Sequence, residues 1–292
     1  MTTKPDTTKF SVDIQDIEYN KPDGVPLLAR LYRPQGAGPF PAVVEVHGGA
    51  WGSNDRLANV SIHQPLAESG VVVMAIDFRM PPEVMYPVSI TDINFAVRWL
   101  KAHAGNFATR PELVGMLGTS SGGHQAMLSA LAPFDPAYGA LALSASPADA
   151  SANAPMDARV AFVALCWSVL DPLARYRMVR EKGIQRLVDA HHAYWPSEDA
   201  MAEGNPQLIV ERGDSLERPP VLLLQGTADD NLTPDMADLF TVAYRRAGGR
   251  IALEKFEGQP HAFIGKDPAA PAALHAIELV KAFVHQEAGT FT

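Results

Sequence analysis

Residues 118 to 123 read G-T-S-S-G-G, and the pattern Gly118-x-Ser120-x-Gly122 restricts the fold more than any other stretch of the chain. It sets a serine on a sharp turn between a strand and a helix. The backbone of such a turn is strained, and a Cβ two residues before or after the serine would collide with the adjoining element. The flanks fit this setting: Glu112 to Gly118 reads as a short buried strand, and Ser121 to Ala132 carries Ala, Met and Leu at helical spacing. A serine so presented is a candidate nucleophile toward carbonyl carbon.

Apolar runs bounded by Gly, Pro or Asp predict strands near 10 to 19, 27 to 33, 41 to 47, 71 to 77, 112 to 118, 139 to 145, 220 to 226 and 250 to 256. Helical spacing marks about 58 to 69, 88 to 103, 121 to 132, 234 to 247 and 270 to 286. Alternation of this kind predicts an α/β fold, an eight-stranded, mostly parallel sheet with helices on both faces. The first two strands, joined through Lys21 to Pro26, read as an antiparallel start. A single domain over 1–292 is expected, with a helical cap insertion at 146–218, where the alternation breaks. Functional groups in such a fold gather at the carboxyl ends of the strands.

The chain carries 24 basic and 33 acidic residues, a formal net charge of -9, which opposes binding to nucleic acid or anionic membrane. The longest apolar stretches, such as Val71 to Ile76, are strand-sized, so no membrane insertion is expected. The N-terminal segment lacks the apolar core of a secretion signal, which predicts a cytoplasmic location. Cys166 is the single cysteine and reads as a buried thiol. His191 and His192 are adjacent, not spaced to put two ligands on one helix face, and no metal motif occurs. A homodimer through an edge strand or the last helix is an open expectation.

A serine hydroxyl needs a base within hydrogen-bond reach and an acid that orients the base. Val221 to Gly226 reads as a buried strand followed by Asp229 and Asp230. Asp229 is the first choice for the acid and Asp230 the alternative, since a turn can aim either side chain inward. After the last strand, Glu257-Gly-Gln-Pro-His261 is a polar loop with one imidazole, and His261 is the candidate base. The order Ser, Asp, His is that of one of three serine-hydrolase arrangements. His47-Gly-Gly-Ala-Trp51, just past a strand, offers amides for a developing oxyanion: Gly49 and Ala50, joined by Ser121 at the positive end of its helix. Trp51, Trp167 and Trp195 are candidate substrate contacts, with ordinary packing the competing role, and Tyr176 and Tyr194 belong to the same group. Between Arg159 and Arg186 lie six basic residues (Arg159, Arg175, Arg177, Arg180, Lys182, Arg186) against Asp171 and Glu181. Such a cap draws in anions if Arg177 and Arg180 share a face toward the site, and is a solvated surface otherwise.

Taken together these pieces resemble the α/β-hydrolase superfamily, in particular its esterase and lipase group, which includes hormone-sensitive-lipase-like and feruloyl-esterase-like enzymes. Ile76-Asp-Phe-Arg-Met-Pro-Pro-Glu83 is similar to the D-Y-R-x-x-P-E segment of such esterases, followed by Tyr86-Pro87 and by Asp92 opening a helix with Trp99-Leu100. The resemblance makes Asp77 and Asp92 scaffold carboxylates and His124 helix packing. It implies a serine hydrolase that cleaves a small-molecule carboxylic ester through an acyl-enzyme, with no metal or organic cofactor. H-G-G-x-W also resembles the loop of formamidases acting on N-formylkynurenine, and G-T-A-D-D-N that of prolyl-oligopeptidase-type peptidases, whose first Asp is the acid. Amidase, formamidase or small-peptidase chemistry therefore stays open beside the ester reading, as does a non-catalytic ligand-binding member of the fold.

Overall fold

The computed structural model describes residues 9–143, 156–213 and 216–289. Eight strands form one sheet: β1 (Val12–Asn20), β2 (Leu27–Pro34), β3 (Ala42–Val46), β4 (Val72–Ile76), β5 (Val114–Thr119), β6 (Val163–Cys166), β7 (Val221–Gly226) and β8 (Ile251–Phe256). Their order across the sheet is β1-β2-β4-β3-β5-β6-β7-β8. β1 and β2 pair antiparallel, as do β2 and β4, and every pairing from β4 to β8 is parallel. Parallel strands are buried on both faces, which is why they read as unbroken apolar runs. Side chains alternate between two cores. Val44, Met74 and Leu223 belong to one, while Val43, Val73 and Leu224 belong to the other.

Helices cover both faces. Ile62 and Leu66 of α1 (Val60–Glu68) and Ile277 and Val280 of the C-terminal helix (Pro271–Gly289) fill one core. The other receives α2 (Val88–Ala102), α3 (Ser120–Leu131) and α8 (Met236–Arg246). Every residue of α3 is buried, so the helix that begins at the candidate nucleophile is locked by packing along its whole length.

One strand is not where the sequence predicts it. Residues 139 to 143 are turn and irregular backbone, with Leu141 and Leu143 packed partly buried against the core, and 144 and 145 lie outside the described residues. The sixth strand is Val163–Cys166 instead. Both stretches are short and apolar, and what separates them is pairing: Val163 to Cys166 hydrogen-bonds to β5 on one side and β7 on the other. The cap expected over 146–218 therefore contains a core strand. Among the described residues its helices follow β6: α4 (Pro172–Glu181), α5 (Gln185–Tyr194), α6 (Glu198–Glu203) and α7 (Pro206–Arg212). Residues 146 to 155, 214 and 215 of that range lie outside the described residues. Cys166 is fully buried at the end of β6, and burial pushes its thiol up to about 12.

Candidate active site

The strand ends deliver three distant side chains to one point. Ser120 follows β5 directly and has φ 51, the left-handed region that L residues rarely adopt. The turn is fixed by close approach on both sides. A Cβ on Gly122 would sit 2.1 Å from the Val46 carbonyl oxygen, and one on Gly118 would sit 2.7 Å from the Gly123 Cα. Ser120 Oγ lies 2.9 Å from His261 Nε2, and His261 Nδ1 lies 2.8 Å from Asp229 Oδ2. His261 stands five residues past β8 and Asp229 three past β7.

Of the two candidate acids, the structure brings Asp229 to the imidazole. Its side chain is 3% exposed, whereas Asp230 is exposed to solvent. Burial works against the Asp229 carboxylate, but hydrogen bonds from His261, Gln225 Nε2 and the Asn231 amide outweigh it and hold the group below its ordinary value. An ionised Asp229 accepts from Nδ1–H. That leaves Nε2 as the acceptor facing the Ser120 hydroxyl, the tautomer in which the imidazole takes up a proton.

The loop after β3 is held by its carbonyls. The Gly48 oxygen accepts from His47 Nδ1 at 2.8 Å and from Asn54 Nδ2 at 3.2 Å. The Gly49 oxygen accepts from Ser53 Oγ at 2.8 Å and from the Gly52 amide. In a trans peptide the N–H points opposite the carbonyl, so pinning these oxygens fixes the Gly49 and Ala50 amides as well. Neither amide has an acceptor among the described residues, and both residues line the cavity beside Ser120. Gly49, Ala50 and Trp51 have φ of 123, 51 and 67, three consecutive left-handed residues that make the loop turn this tightly. Ser121 is fully buried in the first turn of α3, where an amide has no partner within the helix. Its Oγ accepts from the Trp51 amide at 3.0 Å, tying loop to helix. Thr119 adds a second tie, its Oγ1 accepting from the Gly48 amide and from Asn59 Nδ2.

A cavity of about 380 Å³ opens over Ser120 and His261. Trp167 lines it, with its ring 6.4 Å from that of His261. Trp51 and Trp195, expected as substrate contacts, are not at its wall. They are buried in an aromatic cluster beneath the insertion, Trp51 stacked on Tyr194 at 5.3 Å and edge-on to Trp195 at 5.8 Å. Tyr194 is likewise fully buried, and Tyr176 packs against His191. His47 stacks on Phe78. His124 accepts from the Trp51 indole and donates from Nε2 to the Gly204 carbonyl, the packing role expected of it. Asp77 binds Arg56 and Asp92 binds Arg79, so both serve the scaffold.

Of the two readings of the basic segment, Arg177 and Arg180 fit the solvated surface. Arg177 and Arg180 are exposed, and Arg180 sits over Tyr176 and beside Glu198 at 3.8 Å. Arg175 points the other way. Two residues along a helix differ in direction by about 200°, more than half a turn, so Arg175 lies opposite Arg177 and joins the buried side of α4 with Tyr176 and Val179. There it lines the cavity with Arg186, Asn231 and Lys266. No motif marks these residues. The only sequence signal was the local excess of positive charge. Among the described residues no group of three or more His, Cys, Asp or Glu is arranged to hold a metal ion, and no helix is long and apolar enough to cross a membrane.

The family model BD-FAE matches residues 30–243. The chain belongs to the BD-FAE family. Its fold is that of the α/β-hydrolase esterases. The propionate-bound structure of Est2, an esterase from Thermogutta terrifontis, superposes with a TM-score of 0.70 at 26% identity, covering 97% of this BD-FAE chain and 96% of that one. The carboxylesterase EstE1, cloned from a metagenomic library, shares the fold at 22% identity with a TM-score of 0.75, over 96% of this chain and 90% of that one. Esterase LipC of Mycobacterium tuberculosis is 27% identical over 260 residues, 87% of this chain and 60% of LipC. LipM of the same organism, a probable carboxylic ester hydrolase, is 27% identical over 87% of this chain and 57% of its own length. The BD-FAE chain thus spans less than two thirds of the length of these curated relatives.

Proposed function

We propose that the chain is a serine carboxylic-ester hydrolase in which Ser120, His261 and Asp229 act as a catalytic triad. The observation that carries the reading is the continuous relay from Ser120 Oγ through His261 to the Asp229 carboxylate. The esterase names of its relatives support it. His261 Nε2 takes the hydroxyl proton as Ser120 Oγ bonds to the ester carbonyl carbon. The tetrahedral oxyanion is met by the amides of Gly49, Ala50 and Ser121. His261 returns its proton to the leaving alcohol, an acyl-enzyme remains, and a water deprotonated by the same imidazole releases the acid. Asp229 stabilises the imidazolium and keeps the ring oriented, without itself taking a proton.

Labelling by a fluorophosphonate and turnover of short-chain 4-nitrophenyl esters test this together. Wild-type protein labels on Ser120 and hydrolyses the esters, and Ser120→Ala loses the label and nearly all turnover while its circular dichroism is unchanged. A folded Ser120→Ala protein that retained turnover, or a wild type that resisted the label, would overturn the assignment. Amides of the same acyl groups, run alongside, decide between ester and amide chemistry.

A further inference from the structure

The cavity over Ser120 has a charge pattern opposite to that of the chain. In a protein of net charge -9, its wall includes Arg175, Arg186 and Lys266 and, among the described residues, no aspartate or glutamate. Arg175 is the informative member. It is 1% exposed, and its acceptors are neutral: Nε donates to the Asn231 carbonyl at 3.2 Å and Nη2 to Asn231 Oδ1 at 2.7 Å. Nη1 is buried with no partner. The guanidinium lies over the Trp51 ring, 5.3 Å from its centroid, a contact that orients the cation without neutralising it. Asp229, the nearby carboxylate that favours its charge, is committed to His261.

Burying a guanidinium costs several kcal/mol unless a charge or a full set of acceptors offsets it. Here neither is complete. The Asn231 bonds hold the group in one orientation, Nη1 is buried without an acceptor, and the residue lines the cavity. A planar carboxylate is the partner that such a guanidinium fits best. Arg186 and Lys266 are exposed at the same cavity, and neither side chain makes an ion pair or hydrogen bond among the described residues, so the mouth adds long-range attraction for an anion.

We propose that the preferred substrate of this site is a small ester that also bears a free carboxylate, held by Arg175 and drawn in past Arg186 and Lys266. The proposal rests on the hydrolase reading above and names the substrate class within it. The ester carbonyl sits at Ser120 Oγ and the carboxylate at the Arg175 side of the same cavity, whose volume of about 380 Å³ suits a compact molecule.

The test compares kcat/KM for matched pairs of equal chain length: monomethyl adipate against methyl hexanoate, and 6-acetoxyhexanoate against hexyl acetate. The two pairs place the carboxylate on the acyl and on the alcohol side. The expected result is a preference of about ten-fold or more for the anionic member of at least one pair, the scale of one charge-assisted hydrogen-bonded contact. In Arg175→Gln that ratio falls to about one. If Arg175→Gln does not fold, the double variant Arg186→Gln, Lys266→Gln reads the same ratio, which drops several-fold. A wild-type ratio of one or less in both pairs, with neutral esters still turned over and Ser120 still labelled, overturns this proposal and leaves the hydrolase reading standing. Loss of labelling and of all ester turnover overturns the hydrolase reading itself. A ratio that survives in folded Arg175→Gln assigns the carboxylate elsewhere and removes Arg175 from the recognition.

Discussion

Two adjacent aspartates show how much rests on the direction of one side chain. Asp229 is buried and bonded to His261, and Asp230, one residue on, faces solvent. Replacing Asp229 by Asn keeps the shape but lets an amide NH2 face Nδ1, which favours the wrong imidazole tautomer. We expect kcat to fall on the order of 10³- to 10⁴-fold, while Asp230→Asn stays within about two-fold, the usual range for a surface substitution. Steady-state kinetics on one neutral ester separates the two, and equal losses would remove Asp229 from its role. The sequence favoured Asp229, through the resemblance of G-T-A-D-D-N to a segment whose first Asp is the acid, but the strand alone left Asp230 open, because both follow β7 and only the turn Thr227 to Asn231 aims one of them inward. Ser120 and His261 were legible, since each stands at a position set by its strand and by a glycine or loop signature nearby.

Among the elements, the insertion depends on a single carboxylate that serves two helices. Asp171 is the N-cap of α4, accepting from the Ala174 amide at 2.8 Å, and it also accepts from Asn205 Nδ2 at 2.7 Å. Asn205 is in turn the N-cap of α7. Asp171→Ala therefore frays one helix start and frees the residue that caps another. A loss of about 1 to 2 kcal/mol is expected, read from the urea midpoint, with a further drop in any preference for anionic esters because α4 carries Arg175. An unchanged midpoint would mean that the two caps are independent of Asp171. The sheet and its covering helices were largely readable from periodicity. β6 was not, since four residues carry little pattern and only pairing with β5 and β7 defines them. The inward turn of Arg175 was equally hidden, because the sequence gives helix phase but not which face the neighbouring cluster claims.

At the scale of the whole molecule, two buried histidines tie stability to acidity. Burial lowers His124 from 6.5 to about 4, aided by the positive charge of Arg175, and His191 shifts the same way to about 4. Above pH 6.5 both states hold these rings neutral. Below it the unfolded chain takes up protons that the folded chain refuses, so stability declines as pH falls toward 4 and then levels off. Each ring accounts for roughly 3 kcal/mol of that decline. Asp229 adds in the same direction, since its lowered value stabilises the fold above the ordinary carboxylate range and is lost as acid titrates it. Urea unfolding at pH 8 and pH 5 should show the drop, and His191→Phe should reduce its size. A midpoint unchanged between the two pH values would contradict the buried neutral state of these rings.

The lone thiol of the chain carries a separate consequence. Cys166 closes the strand that joins the two halves of the sheet and is fully buried in the core beneath the C-terminal helix, so an alkylating reagent meets it only when that core opens. Its modification rate under native conditions is a clock, built in without any added probe, for the openings that uncover the end of β6.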